Sequence, residues 1–589
     1  MTVEMAGAQL SIFRTVLGSL FVTAALSACA GTSQSSERDT LPRAFQDAGG
    51  TAEAYQQSYT GSYLAGRQAL REQDATAAAQ YFSDAMQQKS DDTYLLRGAF
   101  QAFLAEGNIE KATELATRLT QEEGDNSAAN LVLAIDAIRL NDFALAAERL
   151  EQTNDSGFNV LVKPLLMSWI SLGNSDLDAA LAELDVLDKY DGFDALKAYH
   201  AALLADVSGN KARADELYKA AIDGPAGNAV RLVQSYALYL LEQGQPEDAR
   251  KLLDDYVEKY PLSPTVNRVL ADMKAGKPLE SDLVSPVDGA AEALYSAASV
   301  IGQERAVGIA ATYAYFTLML KPDFPVAQIL LAEAAEGRNR WEEAHKLYSE
   351  IAPDSPYHKN AKIRTAWTSY KLDRKDQAIA LLEEVAAEYP DDIEAMVVLA
   401  DLHRDLKDWP EAARHYGRAV DRLRNFENRH WSLFYARGIA YEQSKQWEEA
   451  EADLLKALEL RPDHPQVLNY LAYSWVDRDV NLEAAKEMLV KAVSLRPRDG
   501  YIVDSLGWLY YRLGEFDDAV LQLEKAVSLQ AADPTISDHL ADAYWRVGRE
   551  DEARYQWQRA LWLEPADDQI PLIEEKLKSG LVDKVKAEK

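Results

Sequence analysis

Small residues recur along this chain at a period near 34, with large apolar residues grouped around them and polar stretches between. Ala78, Ala112, Ala146, Ala180 and Ala214 stand 34 residues apart, and Ala249 follows with one extra residue. A second series runs Ala310, Ala344, Ala378 and Ala412, then Ala450, Ala485, Ala519 and Ala553. Twelve residues before most of these lies another small residue: Gly66, Ala134, Ala202, Ala237, Ala298, Ala332, Ala366, Ala400, Gly438, Gly507 or Ala541. The spacing predicts pairs of antiparallel helices that cross closely at the two small positions, where little more than a β-carbon fits. Leu506, Tyr510, Phe516 and Leu523 in one pair, and Leu540, Tyr544 and Trp557 in the next, are the predicted core between pairs. Ala457, Ala492, Ala526 and Ala560 seat the following helix, and Pro390, Pro462, Pro497 and Pro565 end the repeats they stand in, since proline stops a helix interior.

This pattern resembles the tetratricopeptide (TPR) repeat, a helix–turn–helix unit of 34 residues. The resemblance covers roughly residues 57 to 567 and implies an all-α TPR superhelical solenoid of about 14 repeats. It is strongest from Pro325 onward and weaker before Pro261, where Phe100 and Ser168 stand at small positions. Three irregularities mark joints. The interval Ala249 to Ala310 is too long for one repeat and too short for two; a lone helix from Thr265 to Lys274 and a Gly/Pro-containing loop would fill it. Four extra residues fall at Arg422 to Arg429, and one near Val476 to Leu482. The organisation expected is therefore a first TPR lobe over 58–275, a linker over 276–288, a second lobe over 289–567 and a capping helix or tail over 568–589.

The N-terminus follows a different logic. Thr15 to Leu26 is an uncharged stretch behind Arg14, too short to span a bilayer and suited to a signal-peptide core. Leu26-Ser27-Ala28-Cys29 follows directly and resembles the lipobox of bacterial lipoproteins. That resemblance implies a signal peptide over 1–28, cleavage before Cys29 and acyl chains on Cys29 that hold the protein to a membrane. Cys29 is the only cysteine, so no disulfide can form within the chain. Residues 29–57 are rich in Ser, Gly and charged side chains and read as a tether. Ala30, and not Asp, follows the cysteine, which by resemblance to enterobacterial lipoprotein sorting rules implies the outer membrane over the inner.

A formal charge of −33 over 589 residues argues against nucleic acid, whose phosphates it repels. The repeats consume nearly the whole chain, which leaves no segment for a catalytic domain. The histidines, including His403, His415 and His539, show no metal-ligand spacing, and no phosphate loop or nucleophile motif stands out. No catalytic residue, metal or cofactor is expected.

In TPR proteins the first helix of each unit lines a concave groove with its positions 2, 5, 9 and 12. Those positions here are Asn469 and Tyr473, then Asp504, Trp508 and Tyr511, then Asp538, Asp542 and Trp545. Aromatic rings beside Asn and Asp side chains suit an extended peptide, whose apolar groups the rings bury at low entropy cost. They carry none of the Lys and Arg that the chaperone-binding TPR clamp uses for a peptide carboxylate.

The run Leu468-Asn469-Tyr470-Leu471-Ala472-Tyr473 and the segment Asp504 to Gly514 look like the C-terminal repeats of outer-membrane TPR adaptor lipoproteins of Gram-negative bacteria. That resemblance implies a non-catalytic adaptor on the periplasmic face of the outer membrane. Its partners would be a carboxyl-terminal processing protease, a murein hydrolase, or both, in peptidoglycan turnover. The alternative is an assembly or pilot factor for a secretion, pilus or polysaccharide-export complex.

Overall fold

A computed structural model describes residues 58–581 apart from 124, 225, 262, 280 and 305. The expected signal peptide, the lipobox Leu26, Ser27 and Ala28, the lipidation site Cys29 and the tether lie outside the described residues. Among the described residues every α-helix belongs to one of fourteen helical hairpins or stands alone as Pro264–Lys274 or Ile570–Ser579, and no strand occurs. The fold is the all-α repeat solenoid that the period predicts. None of these helices is long and apolar enough to cross a membrane.

Local chemistry sets where the helices begin and turn. Asp74, Asp92, Asn126, Asp142, Asp176, Asn210, Asp499 and Asp533 each accept a hydrogen bond from a first-turn amide, satisfying donors that the helix itself leaves free. Pro246, Pro264, Pro286, Pro325, Pro465 and Pro534 open helices, where their fixed φ and missing N–H cost nothing. Between the paired helices of thirteen hairpins one residue takes a left-handed φ between +57° and +85°. Five of these are glycines (Gly107, Gly209, Gly244, Gly514 and Gly548); the others include Gln73, Lys407 and Lys445, for which the conformation is strained.

All fourteen alanines of the long series are buried. Ser168 is buried too; it fits its small position because its hydroxyl turns back to the Leu165 carbonyl. Phe100 is also buried, and two residues before it Gly98 leaves room for the ring of Phe82, which a β-carbon there would meet at 2.5 Å. The extra residue near 476–482 is absorbed by two left-handed residues, Asp479 and Asn481. The four extra residues at 422–429 form a loop ending in a 3-10 turn, Asn428–His430, and its Phe426 packs edge-on against Phe434.

The chain divides between Ala378 and Ile379 into two compact units. In the first, one connected apolar core runs from Ala69 to Ala334. The lone helix Pro264–Lys274 breaks the repeat within this unit. The 276–288 segment, expected as the linker between lobes, lies inside the same unit. The hairpin after it, Pro286–Gln303 with Val307–Leu320, packs back against helices more than a hundred residues earlier, chiefly Asn159–Gly173. The second unit takes up both of the smaller insertions without losing the helix pairing, and Ile570–Ser579 packs on its last paired helix, Glu550–Trp562.

Candidate partner-binding groove

In the second unit the positions expected to line the groove fall on Pro465–Asp477, Gly500–Leu513 and Pro534–Arg546, the first helices of three consecutive hairpins. Trp508 is the centre of a ring stack. Its indole lies parallel to Tyr511 at 4.8 Å and to the His539 imidazole at 4.2 Å. His539 reaches back from the next hairpin, and its Nδ1 is 3.0 Å from the Asp504 carboxylate. Burial works against charge on this imidazole, but the Asp504 carboxylate outweighs it and holds the His539 pKa above the ordinary histidine value. The Asp504–His539 pair and the two parallel rings together fix the indole of Trp508.

Tyr473 and Asn469 stand half-buried one hairpin earlier. Burial, and then the Asp504 carboxylate, push the Tyr473 hydroxyl pKa upward. The Asn469 Oδ1 accepts no hydrogen bond, and neither does Nδ1 of His464, which opens the same helix. The His464 ring lies 4.0 Å from that of Trp431, and burial with Arg461 and Arg496 nearby pushes its pKa down to about 4. Tyr435 meets Tyr470 edge-on at 5.9 Å. Asn469, Tyr473, Asp504, Trp508 and Tyr511 thus form one strip of rings and amide or carboxylate groups.

Asp538, Asp542 and Trp545 have a different setting. Lys576, on the terminal helix Ile570–Ser579, donates to Asp538 at 2.8 Å and to Asp542 at 2.9 Å. Trp557 Nε1 donates to Asp542 at 2.9 Å. Burial first, and the neighbouring Asp538 second, push the Asp542 carboxyl up to about 6. Trp545 lies 5.5 Å from Trp557, faces the guanidinium of Arg554 at 5.1 Å, and is covered by Gly580, where a β-carbon would strike its ring. These three residues hold the chain's own terminal helix. Lys576 lies beyond the last repeat, so the repeat pattern gave no sign of it.

The fold also brings together three groups that sequence spacing kept apart. His403, Glu411 and His415 place ligand-type atoms within 4.8 Å of one another. His403 and His415 stack at 5.2 Å, and Asp408 lies 3.3 Å from His403 Nδ1. The ligand types would suit a transition metal. Two guanidinium groups already face the same imidazole, however: Arg414 at 2.8 Å from His415 Nε2 and Arg418 at 3.1 Å from Nδ1. Burial and these two arginines push the His415 pKa down to about 4. Arg414 also holds Glu411, so positive charge already stands where a cation would go.

Tetratricopeptide-repeat family models match residues 230–273, 372–437, 431–464 and 505–568. A TPR repeat-containing protein of Pseudomonas aeruginosa is 27% identical over 194 residues, which is 33% of this chain and 32% of that protein. Among solved structures, the Cut9–Hcn1 hetero-tetramer of the APC/C matches with TM-score 0.36 and 15% identity, over 90% of this chain and 97% of that one. Yeast Tom70 matches with TM-score 0.32 and 13% identity, over 89% and 95%.

Proposed function

Because this chain is a TPR-repeat protein, homologous to a bacterial TPR repeat-containing protein, we propose that it is a non-catalytic adaptor that holds a segment of a partner protein in the groove of its second unit. TPR repeats mark a protein-interaction scaffold. The observation that carries the proposal is the strip from Asn469 to Tyr511. Trp508 is half-buried and stacked against both Tyr511 and His539, so an incoming side chain meets a ring that is already ordered, and little entropy is lost on binding.

In this reading Cys29 carries the acyl chains, and the protein works on the periplasmic face of the outer membrane. There it brings a carboxyl-terminal processing protease to murein hydrolases and so restrains cell-wall cleavage. The lipobox resemblance and the likeness of the C-terminal repeats to adaptor lipoproteins support it. The test is affinity capture of the full-length protein from gently solubilised envelopes, with Trp508→Ala beside it. Recovery of a processing protease or a hydrolase, lost in the variant, supports the adaptor. Recovery of secretion, pilus or export components alone replaces it with an assembly factor. Replacing Cys29 with serine should release the protein to the soluble fraction; retention on the membrane refutes the anchor.

A further inference from the structure

The inner face of the first unit is already occupied. Thr93–Glu106, Ser127–Arg139, Asn159–Gly173 and Asp194–Val207 are the first helices of successive hairpins, the helices that face inward in an array of this kind. Across them lies the hairpin Pro286–Gln303 with Val307–Leu320. Its first helix packs on Asn159–Gly173 and reaches Asp194–Val207 and Ser127–Arg139; its second reaches Thr93–Glu106, Ile109–Glu123 and Ser127–Arg139.

The fit is close on both sides. The first helix offers small residues: Ala290, Ala291, Ala293, Ala297 and Ala298 are buried, and a β-carbon at Gly289 would stand 2.1 Å from the Trp169 ring. The second helix is apolar on nearly every side. Beyond its exposed first turn, with Val307 and Ile309, it is buried at Ala310, Ala311, Tyr313, Ala314, Phe316, Thr317 and Leu320, as in a helix packed among other helices. Its Tyr315 ring covers Gly107, the turn glycine of the second hairpin.

Polar groups fix the register. Glu292, 1% exposed, accepts from the Tyr199 hydroxyl at 3.0 Å and from Arg231 Nε at 3.0 Å, with Arg231 Nη2 on its second oxygen. Trp169 Nε1 donates to His200 Nδ1 at 3.3 Å, so His200 Nε2 carries the proton that faces Ser296 Oγ at 3.3 Å. A carboxylate this deeply buried is stable only with its partners, and withdrawing the hairpin would strip Glu292 of both.

We infer that residues 286–320 are the built-in ligand of the first unit. They fill the face on which a repeat array receives a partner segment, and they do not leave it in the folded protein. A partner can therefore meet the first unit only on its outer helices and edges. What the occupied face recognises is a helix with a stripe of small residues and one carboxylate, a different shape from the extended segment proposed for the second unit. The inference does not depend on which partner the second unit holds.

Amide hydrogen exchange on the full-length protein tests it. Amides in 290–301 and 310–317 should exchange as slowly as those of Ser127–Arg139 and should be released together with them as denaturant is added. Exchange of the hairpin a hundredfold faster, with Ser127–Arg139 still protected, would make it a displaceable plug and overturn the inference. A fluorescent peptide of residues 286–303, added to the full-length protein, should show no saturable binding; saturable binding would again overturn it. Glu292→Gln keeps the side chain's shape and removes its charge. It should lower the protection of hairpin and surrounding helices together, whereas loss confined to the hairpin counts against a built-in ligand. Trp508→Ala should leave hairpin protection unchanged, which separates this result from failure of the adaptor proposal.

Discussion

The two units share a period and a set of small positions, and they use the inner face of the array in opposite ways. In the first, that face is a core: the Trp169 ring packs on Gly289 of the chain's own hairpin, while His200 and Arg231 bond to Ser296 and Glu292 within it. In the second, the corresponding positions hold Asn469, Tyr473, Trp508 and Tyr511, half-buried, with only the last hairpin closed by Lys576 and the terminal helix. Repeat architecture alone therefore does not say where a partner binds. What decides it is whether the array has kept its inner face for itself.

The largest effect should come from breaking the first unit's ion pair. Arg231→Met leaves Glu292 buried without a cation and should cost about 3–5 kcal/mol. Calorimetry or denaturant titration should show the loss in the first unit; a change below about 1 kcal/mol would mean that the hairpin is held by packing alone.

Next in size is His200, fully buried in the same latch, whose pKa is pushed from 6.5 down to about 4 by burial. The unfolded chain takes up this proton at higher pH than the folded one. Stability should therefore fall as pH drops from 6.5 toward 4, by on the order of 3 kcal/mol. His539 has the opposite sign. Its raised pKa adds stability that is full below 6.5 and fades as pH rises through its folded value. The gap between wild type and His539→Gln should accordingly be widest on the acid side. Parallel pH curves for the two proteins would remove the Asp504–His539 pair from the account.

Trp508→Ala should weaken partner binding by about 2 kcal/mol, roughly thirtyfold, as measured by titration calorimetry with the captured partner. Unchanged affinity would move the binding face elsewhere on the second unit. The smallest effect is a gain. Lys407→Gly relieves a left-handed turn at φ +60° and should raise stability by about 0.5–1 kcal/mol in thermal melts. The equivalent change at Gly514, to alanine, should do the reverse.

Much of the fold was legible because close helix crossings admit only small side chains, and those side chains recur where the crossings do. The left-handed turn was not, since Gln73, Lys407 and Lys445 carry no sign of it and the packing of both flanking helices imposes it. The return of 286–320 was hidden for another reason. Its contacts with Thr93–Glu106 and Asn159–Gly173 join residues far apart in the chain, and no local period encodes them. The groove was half legible. Position within the repeat put Asp504 and Trp508 on the inner face, but only the fold sets His539 against both of them, and only the fold delivers Lys576 to Asp538 and Asp542.

The returning hairpin also sets an order of events. Translation proceeds at about 5–20 residues per second, so the residues that cover Trp169 follow it by roughly ten seconds. Until Leu320 has emerged, the six hairpins before Pro261 can pair with their neighbours but cannot bury their inner face. A chain cut short in this interval has an apolar surface and no means of covering it. The first unit is therefore where newly made protein most needs a holding chaperone, and where truncation should lead to aggregation instead of a smaller working solenoid.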